Sequence, residues 1–76
     1  MRQLLEEFAR ALVLNPSDVH VSETRDGEHL HLELVVAASD RGRVIGRSGR
    51  TAGHLRALLD FLAHRRGARC SLEIRG

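Results

Sequence analysis

Two runs of alternating apolar and polar residues flank Asp26-Gly27, and this arrangement limits the fold more than any other feature of the chain. Val19 and Val21 alternate with His20 and Ser22; beyond the Asp-Gly pair, Leu30, Leu32, Leu34 and Val36 alternate with His31, Glu33 and Val35. A period of two is that of a strand with one buried face, and Asp-Gly favours a tight two-residue hairpin turn. Such a turn predicts a register in which Arg25 faces Glu28, Ser22 faces His31, Val21 faces Leu32 and Val19 faces Leu34. Apolar pairs then share one face and polar pairs the other, with Glu23 opposite Leu30 as the one mismatch.

Helical spacing brackets this hairpin. Leu4, Leu5, Phe8, Leu12 and Val13 predict an amphipathic helix over residues 2–14. Asn15-Pro16 ends it, because the residue before a proline is pushed out of the helical region. Ser39 and Asp40 are placed to cap a short helix holding Arg41 to Ile45. Gly46-Arg47-Ser48-Gly49 interrupts that helix. A further one is expected over about residues 50–65, with Leu55, Leu58, Leu59 and Leu62 as its buried stripe and Gly67 as its C-cap. Cys70, Leu72 and Ile74 alternate with Ser71, Glu73 and Arg75 in a last strand. The order α-β-β-α-α-β predicts an α+β fold, a three-stranded sheet with three helices packed on one face. The 76 residues are expected to form one domain, 1–76. A chain of this size buries only about 60–65% of its unfolded surface, which leaves little room for a deep catalytic pocket.

Charge is unevenly spread. Residues 1–40 hold three arginines and eight acids, whereas residues 41–76 hold nine arginines and two acids. A strongly basic half is an electrostatic footprint for a polyanion. Cys70 is the sole cysteine, so no internal disulfide forms and no Cys-x-x-Cys exists for zinc or redox chemistry; its simplest role is a small core residue. Acids at Glu6 and Glu7 interrupt what a signal peptide would keep apolar, and the longest apolar runs are too short to span a bilayer. A cytoplasmic location is expected.

The segment from Arg41 to Arg50 packs four arginines and three glycines into ten residues without an acid. Two short helices meet there at Gly46-Arg47-Ser48-Gly49. Glycine lets backbone turn sharply and approach other backbone, the start of the following helix favours anions, and arginines add charge-assisted contacts to phosphate. The stretch Val44-Ile45-Gly46-Arg47-Ser48-Gly49 resembles the Val-Ile-Gly-x-x-Gly signature of the KH domain. With a helix and strand ahead of the strand–helix–helix–strand unit, the chain resembles the type II, bacterial arrangement. Together with Ala11-Leu12-Val13-Leu14-Asn15-Pro16, it is similar along its whole length to the KhpA (YlqC-like) family of stand-alone bacterial KH proteins.

That resemblance implies an RNA-binding protein and not an enzyme. In KH domains the glycine loop clamps the backbone of about four nucleotides and the bases lie in a groove between helices and sheet. Carried over, Gly46, Arg47, Ser48 and Gly49 form the clamp, Arg43 and Arg50 flank it, Ile45 and the helix near Leu55 form groove wall, and His54 approaches the RNA. Arginine replaces the commoner lysine at position 47, which keeps the charge and adds bidentate grip. The resemblance further implies single-stranded RNA as ligand, no cofactor, a homodimer, and association with a larger Jag-like KH-containing partner. It also implies a role as RNA chaperone or post-transcriptional regulator linked to cell elongation, division and shape.

Other readings fit less well. A P-loop needs four residues between its glycines and then Lys-Ser/Thr; here three separate Gly42 from Gly46, and Arg47-Ser48 follows. With only Phe8 and Phe61 as aromatics besides histidine, an aromatic base-stacking platform is not expected. His29, His31 and Glu33, with His20 nearby, fall on the outer sheet face; the ligand set is incomplete for a metal, and a solvated face is the simpler account. Ser48 has no base beside it for nucleophilic catalysis. His64 sits near a helix C-terminus, where a cation is favoured. The alternative function is a protein-interaction or dimerisation module whose RNA binding is weak or delegated to the Jag-like partner. Against it stands the loop, which carries arginines where a degenerate domain tolerates acids. Ala57, Phe61 and His64, outside the leucine stripe, are the preferred dimer surface.

Overall fold

A computed structural model describes residues 1–76. The elements are helix α1 (Arg2–Leu12), strands β1 (His20–Asp26) and β2 (His29–Val35), helices α2 (Arg41–Ile45) and α3 (Arg50–His64), and strand β3 (Arg69–Arg75), with short 3-10 turns at Pro16–Asp18, Ala38–Asp40 and Arg47–Gly49. The strands lie in the order β1-β2-β3, β1 antiparallel and β3 parallel to the central β2. No helix is long and apolar enough to cross a membrane.

The hairpin forms with a register two residues away from the expected one. Val21 pairs with Leu34, Glu23 with Leu32, Arg25 with Leu30 and Asp26 with His29. The central residues of the turn are Gly27 and Glu28, not Asp26 and Gly27. Gly27 takes φ +61° and Glu28 does not go positive, the combination of a type II′ turn, which wants glycine first. A slip of two residues preserves the faces, so Leu30, Leu32 and Leu34 still point inward. What changes is the distal half of β1, which lays Glu23 and Arg25 beside the apolar row of β2 and stays exposed as an edge.

The core joins Leu5, Ala9 and Val13 of the N-terminal segment to Leu32 and Leu34 of β2, Val44 of α2, Ala52, Leu55 and Leu59 of α3, and Leu72 and Ile74 of β3. Of the expected stripe on α3, Leu58 is 43% exposed and Leu62 only half-buried; Ala52 and Ala63 take the inward positions. Small residues let this helix lie close to the sheet, which tilts the buried arc away from Leu58. Leu4 and Leu12 of α1 are likewise exposed. Gly67, at φ +71°, closes α3 as expected. Ala68 N–H donates to Ala63 O at 2.9 Å and Gly67 N–H to His64 O at 3.0 Å, a Schellman motif.

Helix α1 stops two residues short of the predicted end, and Asp40 is the reason. Its fully buried carboxylate accepts from Leu14 N–H at 3.1 Å, Asn15 N–H at 3.0 Å and the Asn15 side-chain amide at 3.0 Å. These amides turn toward Asp40 and leave the helix. Asp40 precedes α2, but its side chain caps nothing there; it ties the end of α1 to the start of α2. Burial alone would raise its pKa; the hydrogen bonds from Leu14 and Asn15, with Arg43 at 3.5 Å, outweigh this and hold it below the ordinary carboxylate value.

Candidate nucleic-acid interface

The Gly46–Gly49 turn is built by backbone, not by side chains. Gly46 N–H donates to Gly42 O at 2.9 Å, closing α2, and Gly49 N–H donates to Gly46 O at 3.1 Å. Gly46 lies at φ 78°, ψ 169°, a region open essentially only to glycine. It packs so closely on Thr51 that a Cβ would stand 2.8 Å from Thr51 Cβ and 2.9 Å from Thr51 N. Gly49 is left-handed at φ 75°, ψ 14°. Ser48 is left-handed too, the one non-glycine residue with positive φ.

Around this turn Arg41, Arg43, Arg47 and Arg50 are all exposed. Arg43 is partly engaged by Asp40; the other three form no ion pair. No side chain caps the N-terminus of α3 and no acid lies in its first turn, so the positive end of its dipole is not neutralised by the protein's own groups.

From the turn, α3 runs alongside β3, the sheet's second edge. Between them lies a groove of about 380 Å³ lined by Arg56, Ala57, Leu59 and Asp60 on one side and Cys70, Ser71 and Leu72 on the other. Arg69 N–H bonds Glu28 O and Arg75 O accepts from Val36 N–H, so the odd-numbered residues of β3 turn their backbone to β2. Cys70, Leu72 and Ile74 therefore turn theirs to the open edge. Arg56 reaches across the groove and donates from Nε and Nη2 to Leu72 O at 3.4 and 3.3 Å. The helix whose uncapped start carries the unpaired arginines thus also forms one wall of a groove along the open sheet edge.

A family model described as the KhpA/KhpB KH domain matches residues 2–74. The chain belongs to that family. It is 47% identical to the "RNA-binding protein KhpA" of Halalkalibacterium halodurans over 97% of both chains. It is 42% identical to that of Clostridium acetobutylicum over 97% of this chain and 99% of the relative. A crystal structure of Era in complex with MgGDPNP and nucleotides 1506–1542 of 16S ribosomal RNA aligns with a TM-score of 0.57 at 19% identity, covering 97% of this chain and 28% of Era. That likeness is one of fold, and the fold is the expected type II KH arrangement.

Within the KH domain the eight residues singled out from the sequence divide into two groups. Arg43, Gly46, Arg47, Ser48, Gly49 and Arg50 surround the turn. Ile45 is half-buried against the core, and His54 is exposed one turn into α3. The helix near Leu55, expected as groove wall, lines the groove with Arg56, Ala57, Leu59 and Asp60, while Leu55 itself is buried in the core. Arg56 and Asp60 were not singled out. Their spacing of four on α3, next to the buried Leu59, is the only signal they carry, and nothing in the sequence places β3 against that flank. Phe61 is 58% exposed, with the Arg65 guanidinium 5.9 Å from its ring centroid. On the outer sheet face His29 and His31 stack at 4.1 Å and share the Ser71 hydroxyl at 3.2 and 2.9 Å. Glu33 is drawn to Arg75 at 3.0 Å, and no group of three His, Cys, Asp or Glu side chains is placed to hold a metal.

Proposed function

We infer that the protein binds single-stranded RNA, the Gly46–Gly49 turn holding the backbone and the α3/β3 groove receiving bases. One observation carries this reading. Arg47 and Arg50 stand exposed and unpaired at the uncapped start of α3, and further along the same helix a groove against β3 carries the Arg56 guanidinium. Phosphates gain charge-assisted contacts from the arginines of the turn, and bases splayed from a single strand fit the groove beside α3. The relatives named as RNA-binding proteins support the same reading. A duplex keeps its bases stacked and cannot fill the groove.

The working unit in this reading carries more than one such surface. A short clamp yields modest affinity, and joining two raises avidity by roughly 10²–10⁴. Leu58 and Phe61, exposed on α3, offer an apolar surface for a homodimer or for the Jag-like KH partner. The likeness to the KhpA family extends the proposal to RNA chaperoning or post-transcriptional regulation linked to cell elongation and division. The RNA function is tested by replacing Arg47 and Ser48 together with Asp. Aspartate tolerates the left-handed conformation of position 48, so the fold should persist while binding to a single-stranded RNA pool is lost. Undiminished binding would refute the loop as the site.

A further inference from the structure

Asp60 is out of keeping with its surroundings. The basic half of the chain contains two acids, Asp60 and Glu73. Glu73 is held by Arg75 at 3.1 Å on the outer sheet face. Asp60 has no ion pair and lines the groove. It faces Cys70 there: burial first, then the Asp60 carboxylate, with Glu23 behind it, push that thiol's pKa up. Arg56 lies on the same flank of α3, about 6 Å earlier along the axis. It is turned onto Leu72 O and not onto Asp60, which leaves its other N–H donors for a ligand.

A bare carboxylate repels phosphate, so it weakens a polyanion site unless a ligand brings donors to it. Guanine does so on one edge. N1–H and N2–H form a donor pair that a carboxylate accepts in bidentate fashion, and the adjoining O6 and N7 form the acceptor pair that arginine favours. Adenine presents an acceptor at N1 and an amino donor beside N7, opposed to both partners. The pyrimidines offer a shorter edge with a single donor nitrogen for the carboxylate. One helical turn between carboxylate and guanidinium suits the long edge of a purine.

We propose that the α3/β3 groove is a guanine-selective base pocket, in which Asp60 reads N1–H and N2–H and Arg56 reads O6 and N7. This rests on the groove being the base-receiving part of a single-strand RNA site. The test is titration of the full chain with pentauridylates whose central residue is guanosine, adenosine or inosine, followed by the backbone amide shifts of Cys70 and Leu72. Guanosine should bind about ten- to a hundred-fold tighter than adenosine, with inosine, which lacks the 2-amino group, in between. Asp60→Asn should cut the guanosine-to-adenosine ratio several-fold, leaving only the share read by Arg56, whereas Glu73→Gln, the same charge change on the outer face, should leave it unaltered. Equal affinity for all three strands, with binding still lost in the Arg47→Asp/Ser48→Asp variant, would overturn the guanine pocket and leave the RNA function standing. A ratio retained in Asp60→Asn would overturn it as well. Failure of every strand to bind would overturn both.

Discussion

Gly46→Ala should unfold the protein far more readily than Gly49→Ala, although both glycines belong to one motif and both have positive φ. At φ 78°, ψ 169° alanine meets a backbone penalty of about 1–3 kcal/mol. Its Cβ would also enter the space of Thr51, at 2.8 Å from Cβ and 2.9 Å from N, and overpacking of this kind costs about 1–3 kcal/mol. Loss of glycine's freedom in the unfolded chain returns only about 0.4–1 kcal/mol, so the net destabilisation is roughly 1–6 kcal/mol. For a domain of this size the middle of that range, about 3 kcal/mol, lowers Tm by ~12–24 °C. Gly49 has nothing within 4 Å of a built Cβ. Its left-handed conformation costs alanine about 1–2 kcal/mol, partly offset in the same way, so Tm should fall by only ~2–8 °C. Thermal and urea unfolding followed by circular dichroism would measure both. Thr51→Ala should rescue Gly46→Ala only in part, because it removes the Oγ1 contact and leaves Cβ and N in place. Equal destabilisation by the two glycine variants, or full rescue by Thr51→Ala, would refute the reasoning.

Salt, pH and assembly state offer three further tests. A clamp of the proposed size would reach few phosphates, so log Kd against log salt should have a slope of magnitude roughly 2–3, at about 0.7 per phosphate on single strands; a salt-independent affinity in a fluorescence titration would contradict it. Asp40 titrates below its ordinary value of 3.8 when folded. Its stabilising share is therefore complete above about pH 4 and lost as pH falls through the lower folded value. The stability gap between the parent and Asp40→Asn should accordingly be widest near neutrality and shrink in acid, as urea unfolding across pH would show. If a dimer forms through α3, Phe61→Asp should dissociate it in sedimentation analysis while Arg47→Asp does not.

Much of the fold was legible because its signals are periodic and local. The inward row Leu30, Leu32, Leu34 survives any slip of two residues, so the sheet's faces were readable while its register was not. Register depended on whether Asp26 or Gly27 opens the turn, a choice that turns on a single φ. The buried arc of α3 was misjudged because Leu58 looks more apolar than Ala52 or Ala63; the sheet selects for close approach, and hydrophobicity alone does not encode that. Asp40 read as a cap because a sequence shows that it precedes a helix and not that Leu14 and Asn15 arrive beside it. The turn Gly46–Gly49 was legible as a motif. Arg56 and Asp60 were not, since their meaning comes from the strand that lies opposite, fourteen or so residues further on.

The segment from β2 through β3 looks like a portable cassette, a strand, two helices and a strand with the glycine turn at its centre. Asp40 argues that it cannot travel alone. Transplanted beneath a scaffold that covers the same face, residues 29–75 would lose the Leu14 and Asn15 donors that solvate the Asp40 carboxylate, leaving only Arg43 at 3.5 Å. A buried charge stripped of its partners is strongly destabilising. The smallest piece that can be exchanged intact by recombination, or borrowed by a protein engineer, therefore includes the amides that follow the first helix, unless an apolar residue replaces Asp40 in the same move.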